Sequence, residues 1–217
     1  MVDNYRHKGL RAELVETLKK KGIFHETTLN AIKQIPRHLF IENAFLEHAY
    51  QDKAFPIGDG QTISQPYTVA FQTQSLDVKK GDKILEIGTG SGYQAAVLSE
   101  IGAKVYSIER HRGLYLKTST LLKNLKYKSI KTFCGDGTKG LTQFAPYDKI
   151  IVTAGAPDIP YPLIDQLAIG GQLIIPIGHE KEQIMTLITK KSADQITRKN
   201  LGNFKFVPLI GKNGWNN

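Results

Sequence analysis

The stretch Ile84-Leu-Glu-Ile-Gly-Thr-Gly-Ser-Gly92 joins an apolar run to three alternating glycines. Ile84, Leu85 and Ile87 suit a strand covered on both faces, as strands of parallel sheets are. Gly88, Gly90 and Gly92 let the chain turn sharply and lie close to a ligand, since no Cβ stands in the way. Tyr93 to Glu100 then continues with helical spacing. The predicted unit is a strand, a ligand-binding turn and a helix.

Glycine spacing separates two cofactor classes. A dinucleotide fold expects G-x-G-x-x-G, with the pyrophosphate on the helix N-terminus. Here the loop reads G-x-G-x-G, and Glu86 stands just before the first glycine. A carboxylate there repels pyrophosphate but suits a cationic group, such as the amino group on the methionine part of S-adenosylmethionine. Glu86, Gly88, Thr89, Gly90 and Gly92 are therefore expected to bind the cofactor. A second acidic residue, Glu109, ends the predicted strand Val105 to Ile108. It lies about twenty residues past the loop, where nucleotide folds place the carboxylate that accepts from ribose hydroxyls. A third element, Gly135-Asp136-Gly137, follows the predicted strand Ile130 to Cys134 and is placed to flank an adenine, although Asp-Gly is also common turn chemistry.

Composition sets outer limits. The chain has 217 residues without a composition break, which fits one domain, residues 1–217, in which 1–66 form a helical extension and 67–217 an α/β core. One cysteine, Cys134, excludes an internal disulfide, and six scattered histidines lack zinc-ligand spacing, so a metal-free cytoplasmic protein is expected. The N-terminus lacks a signal-peptide apolar segment, and no run approaches the ~20 apolar residues that span a bilayer, so membrane insertion is not expected. The net charge of +9 would suit RNA or an acidic surface. Lys19 to Lys21, Lys79-Lys80 and Lys190-Lys191 are scattered, however, and no aromatic stripe accompanies them, which favours a generic basic surface without nucleic acid. A monomer is expected, because the N-terminal helices offer no long exposed apolar stripe.

Leu10, Leu14, Val15 and Leu18 share one face of a predicted helix over 9–21 that Gly22 stops. Thr27 or Thr28 is expected to cap a second helix, which Pro36 ends, and a short helix or turn then precedes a loop over 51–65. From residue 67, helices and strands alternate in the βαβ pattern of a doubly wound parallel sheet. Helices are predicted over 68–76, 94–101, 113–125 and 162–167, and strands over 83–87, 104–108, 130–134, 150–152 and 173–177. Two further strands, near 183–189 and 204–209, have no helix between them, which makes this end partly antiparallel. Ser64 is the expected cap of the helix that opens near Pro66 and Tyr67.

On these motifs the chain resembles the protein-L-isoaspartate (D-aspartate) O-methyltransferases, within the Rossmann-like S-adenosylmethionine-dependent methyltransferases. The class-level match is the glycine loop with Glu109, Gly135-Asp-Gly137 and Gly170-Gly-Gln-Leu-Ile-Ile-Pro176. The family-level match is Gly60-Gln-Thr-Ile-Ser-Gln-Pro-Tyr67, supported by Pro36-Arg37, Ala54-Phe-Pro-Ile-Gly58, Tyr147-Asp148 and Phe206-Val-Pro-Leu209. Thr68 departs from the methionine common in bacterial relatives. The resemblance implies methyl transfer from S-adenosylmethionine, leaving S-adenosylhomocysteine, to the free α-carboxylate of L-isoaspartyl residues in damaged proteins and peptides. D-aspartyl residues are a further candidate substrate. The ester then collapses to succinimide. It also implies that Ser64 is the active-site residue, that Gln65, Tyr67 and Val207 meet the peptide, and that Thr62, Ile63, Arg110, Asp136 and Gly137 complete the cofactor site. Three other readings stay open on sequence: a methyltransferase acting on RNA or a small molecule, a donor-binding module without chemistry, and a dinucleotide oxidoreductase. An Asn/Asp-Pro-Pro-aromatic motif would favour RNA, and Thr153-Ala-Gly-Ala156 stands at the corresponding strand end instead.

Overall fold

The computed structural model describes residues 3–216; Met1, Val2 and Asn217, the ends of the expected single domain, lie outside the described residues. Two helices come first, α1 (Tyr5–Lys20) and α2 (Glu26–Gln34). Leu14, Val15 and Leu18 of α1 are buried as their spacing requires, and Lys19 and Lys20 occupy its last turn, where cations meet the helix dipole favourably. Neither Thr27 nor Thr28 caps α2. That helix starts at Glu26, and Thr28 is buried with its hydroxyl 2.7 Å from His25 Nδ1. Pro36 ends α2 as expected, by forcing Ile35 into extended backbone.

Residues Arg37–Phe40 and Asn43–His48 form two 3-10 turns. The expected loop over 51–65 contains a hairpin, β1 (Phe55–Gly58) and β2 (Gln61–Ile63). Asp59 and Gly60 turn it with φ of 51° and 68°, the left-handed pair that a type I′ turn demands. The alternation that follows comprises α3 (Pro66–Ser75), β3 (Lys83–Ile87), α4 (Tyr93–Glu100), β4 (Lys104–Glu109), α5 (Arg112–Asn124), β5 (Ile130–Cys134), β6 (Tyr147–Val152), α6 (Tyr161–Asp165), β7 (Leu167–His179), β8 (Glu182–Lys190) and β9 (Ile196–Phe204).

The sheet order is β5-β4-β3-β6-β7-β8-β9, with the first five strands parallel and β8 antiparallel to both neighbours. Fold class and parallel core are as the sequence implies, but the last strand is not the expected 204–209. It ends at Phe204. Beyond it, Pro208 makes one isolated bridge to Gly155.

Both faces of the central strands are dry. Leu85 and Ile87, Ile150 and Val152, and Leu173 and Ile175 join one cluster, while Ile84, Ile151 and Ile174 on the opposite face join another. This alternation explains why the parallel strands read as unbroken apolar runs. The N-terminal helices belong to a third cluster, in which Leu14 and Leu18 share a core with Val69, Val97 and Leu122. From β3 the chain winds outward to β4 and β5, then returns to β6 on the opposite side of β3. The carboxyl ends of β3 and β6 thus flank the reversal of strand order, where open α/β sheets bind ligands.

Candidate active site

The turn after β3 is built around backbone that side chains would obstruct. Gly88 has φ of 96°, and a Cβ there would come within 2.6 Å of Thr153 Oγ1. Thr153, just past β6, donates from its backbone to Ile87 O at 3.0 Å and from its hydroxyl to Gly88 O at 2.8 Å. Gly90 N donates to Glu109 Oε2 at 2.9 Å, and His111 N donates to Glu109 Oε1 at 2.9 Å. Each Glu109 oxygen thereby accepts one backbone N–H and keeps a lone pair, while the side chain borders the cleft.

A second wall comes from the segment between β2 and α3. Here Asp52, from the loop before β1, performs the capping expected of Ser64: its carboxylate accepts from Tyr67 N at 2.8 Å and from Gln65 Nε2 at 3.0 Å. Lys21 Nζ lies 2.5 Å from the same carboxylate. Ser64 is left with its hydroxyl free of hydrogen bonds among the described residues and its carbonyl accepting from Arg37 Nη2 at 2.9 Å. Arg37 is wholly buried, donates from Nε to Ala49 O at 3.1 Å, and lies over the Tyr93 ring at 4.6 Å. Burial lowers its guanidinium to about 10, which leaves it charged at neutral pH.

The third wall is the chain after β9. Gly155 N donates to Val207 O and Leu209 N donates to Gly155 O, both at 2.8 Å. Gln183 Oε1 accepts from Phe206 N at 2.9 Å and anchors the start of this segment. The three walls border one cleft that opens to solvent.

Ten of the residues singled out from the sequence border this cleft: Thr62, Ile63, Ser64, Gly88, Thr89, Gly90, Glu109, Arg110, Gly137 and Val207. Five do not. Glu86 is fully buried on β3 with its carboxyl against Ser107 Oγ, and Ser107 in turn lies 2.6 Å from Thr89 Oγ1. Burial pushes Glu86 up to about 8, and its side chain does not border the cleft. Gly92 instead serves packing: its φ is 85°, and a Cβ would meet Thr118 Cγ2 at 2.8 Å. Asp136 turns its carboxylate toward the C-terminal segment, accepting from Thr138 N at 3.0 Å and Lys212 N at 2.9 Å. Burial alone would raise its carboxyl, but these bonds outweigh that and hold it below the ordinary value. Gln65 is spent on Asp52, and Tyr67 stacks with Phe204 at 6.3 Å between ring centroids.

The sequence reading missed Tyr93, Gln94 and Thr153, which border the cleft, and Arg37 and Asp52, which hold its Ser64 wall. Tyr93 and Gln94 follow the glycine loop directly, but helical spacing alone does not separate a cleft-facing side chain from a core-facing one.

Comparisons with known proteins bear on the family and the fold. The family model described as Protein-L-isoaspartate(D-aspartate) O-methyltransferase (PCMT) matches residues 9–214. The protein-L-isoaspartate O-methyltransferase of Cytophaga hutchinsonii is 57% identical, over 100% of this chain and 97% of its own length. That of Dictyoglomus thermophilum is 49% identical, over 97% of this chain and 94% of its own. A solved protein-L-isoaspartate O-methyltransferase superposes with a TM-score of 0.86 at 32% identity, covering 94% of this chain and 67% of the other. A Plasmodium falciparum structure described as a putative enzyme of this kind, in complex with S-adenosyl-L-homocysteine, gives a TM-score of 0.81 at 28% identity over 94% of this chain and 98% of the other. With a match that runs nearly end to end in both sequence and fold, this chain belongs to the protein-L-isoaspartate(D-aspartate) O-methyltransferase family.

Proposed function

We propose that the cleft transfers a methyl group from S-adenosyl-L-methionine to the free α-carboxylate of L-isoaspartyl residues in damaged proteins and peptides, giving an ester that collapses to succinimide. The observation that carries this reading is one cleft bordered both by the glycine loop with Glu109 and by Ser64 with a free hydroxyl. The residues present fit the donor. Gly88 and Gly90 border the cleft, Glu109 keeps lone pairs for ribose hydroxyls, and Thr62, Ile63, Thr89, Arg110 and Gly137 complete the wall. When bound, S-adenosyl-L-methionine supplies an activated methyl group on a sulfonium.

The acceptor asks for little acid-base help. An α-carboxyl with an ordinary value of about 3.5 is ionised at pH 7, so the site must position it and strip its water. Ser64 performs the positioning by donating its hydroxyl to the carboxylate, and Arg37 holds the Ser64 backbone. Val207 covers the same site. Backbone shape near Phe206 to Leu209 distinguishes an isoaspartyl linkage from an aspartyl side chain, because both carboxylates are equally ionised. Clients are isoaspartyl-containing proteins and peptides, with neither nucleic acid nor membrane as partner. A cleft assembled from one chain supports a monomer acting as a single unit, and the exposed thiol of Cys134 suits the cytoplasm.

Replacing Ser64 by alanine removes a hydrogen bond to a charged group, so kcat is expected to fall roughly 10- to 100-fold. Binding of S-adenosylhomocysteine should stay within about twofold of wild type. Steady-state assays on an isoaspartyl peptide beside calorimetry measure both. Unchanged turnover would remove Ser64 from the mechanism.

A further inference from the structure

The wall formed by Phe206 to Leu209 lies beyond the end of β9 and has one isolated bridge, from Pro208 to Gly155, in place of a strand ladder. Gly155 is the point to which it is tied. Its N–H donates to Val207 O and its carbonyl accepts from Leu209 N, both at 2.8 Å. A carbonyl oxygen has a second lone pair, and here it is filled by Trp215 Nε1, which donates to Gly155 O at 3.0 Å. Gly155 also packs closely on Gln183, where a Cβ would come within 2.7 Å of Gln183 Cδ, and Gln183 in turn accepts from Phe206 N.

The tail that carries Trp215 folds back on this wall. Trp215 N donates to Leu209 O at 2.8 Å, and Gly211 N donates to Trp215 O at 3.2 Å. The same turn is fastened to the chain after β5, where Lys212 N donates to Asp136 Oδ2 at 2.9 Å and Asn213 N to Thr138 Oγ1 at 3.1 Å. These backbone bonds would seat residue 215 beside Leu209 whatever its side chain. The indole adds a donor that reaches past Leu209 to Gly155. Trp215 does not itself border the cleft, whereas Val207 and Leu209 do. Its side chain therefore acts on the cleft through Gly155.

We propose that Trp215 is a positioning residue for the peptide wall: its indole N–H, by holding Gly155 O, fixes the backbone from Val207 to Leu209 in the shape that an isoaspartyl chain meets. The inference rests on the acceptor reading above. Trp215→Phe keeps an aromatic ring and the backbone turn but removes the donor. At saturating S-adenosylmethionine, KM for an isoaspartyl peptide is expected to rise roughly 3- to 10-fold, as for one lost hydrogen bond, while kcat and the Kd of S-adenosylhomocysteine stay within about twofold of wild type. Thermal unfolding of both proteins accompanies the kinetics. A lowered Tm with an unchanged KM would reduce Trp215 to a structural role and overturn the assignment. So would equal weakening of peptide and S-adenosylhomocysteine, which would place the effect on the whole cleft. Because Trp215 is the one tryptophan of the chain, biosynthetic replacement of tryptophan by β-(3-benzothienyl)alanine alters this site alone, keeping the ring shape without the N–H. The same rise in KM is expected there, and an unchanged KM would overturn the assignment even if the phenylalanine variant failed to fold. Absence of wild-type turnover on the isoaspartyl peptide would overturn the acceptor reading, and this inference with it.

Discussion

Glu86, one residue before the end of β3, and Glu109, the last residue of β4, sit on neighbouring parallel strands, yet their surroundings give them opposite chemistry. Glu109 receives two backbone N–H groups at the cleft, while Glu86 is sealed against Ser107 and favours its neutral form up to about pH 8. Sequence could not separate them. Both faces of β3 are buried, so the period-two pattern that usually tells core from solvent carries no information about which side meets a ligand. The sign of the pH effect follows from the raised value. Between the ordinary 4.5 and about 8 the unfolded chain has released the Glu86 proton and the folded one has kept it. Stability contributed by this residue therefore falls as pH rises through that window and levels off above it. Glu86→Gln, neutral and of the same shape, should show a flatter Tm profile than wild type between pH 5 and 8, measured by thermal unfolding. Parallel profiles would show that Glu86 is ionised in the fold.

At the scale of elements, α3 shows what local reading misses. Its start, marked by Pro66, was legible, but Ser64 is not its cap: Gln65 holds that position and makes no side-chain cap bond. The group that binds its free N–H is Asp52, which reaches Tyr67 N from before the β1–β2 hairpin, a long-range partner that no capping motif reveals. The exchange leaves the Ser64 hydroxyl at the cleft without a hydrogen bond among the described residues. Loss of a helix cap costs about 1 kcal/mol, and Asp52→Ala is expected to lower stability by that order. The Lys21 contact adds little because that lysine is half exposed. Since Asp52 also holds Gln65, the same variant should slow methyl transfer more than it weakens donor binding. Chemical denaturation with kinetics on one preparation checks this, and an Asp52→Ala protein with unchanged stability would refute the capping role. The last strand was misplaced for a related reason. Ile196–Phe204 is an exposed edge rich in Arg, Lys, Thr and Asn, with a weak apolar pattern, whereas Phe206 to Leu209 looks strand-like but contains Pro208, which has no N–H for a ladder.

At the scale of the molecule, the parallel core was readable because each central strand is an apolar run bounded by turn residues and separated from the next by a helix. Strand order was not predicted in detail, since it depends on which neighbours pair after the chain returns from β5 to β6. That return creates the cleft by bringing Thr153 beside Gly88, and the chain beyond β9 closes it with Val207. The central claim is that this assembled cleft methylates isoaspartyl carboxylates and passes over aspartyl ones. The direct measurement is incubation with methyl-labelled S-adenosylmethionine and two peptides that differ only in an isoaspartyl or aspartyl linkage. The account predicts base-labile label on the isoaspartyl peptide and none above background on its partner. Equal labelling of both, or labelling of neither by a protein that binds the donor, would contradict it.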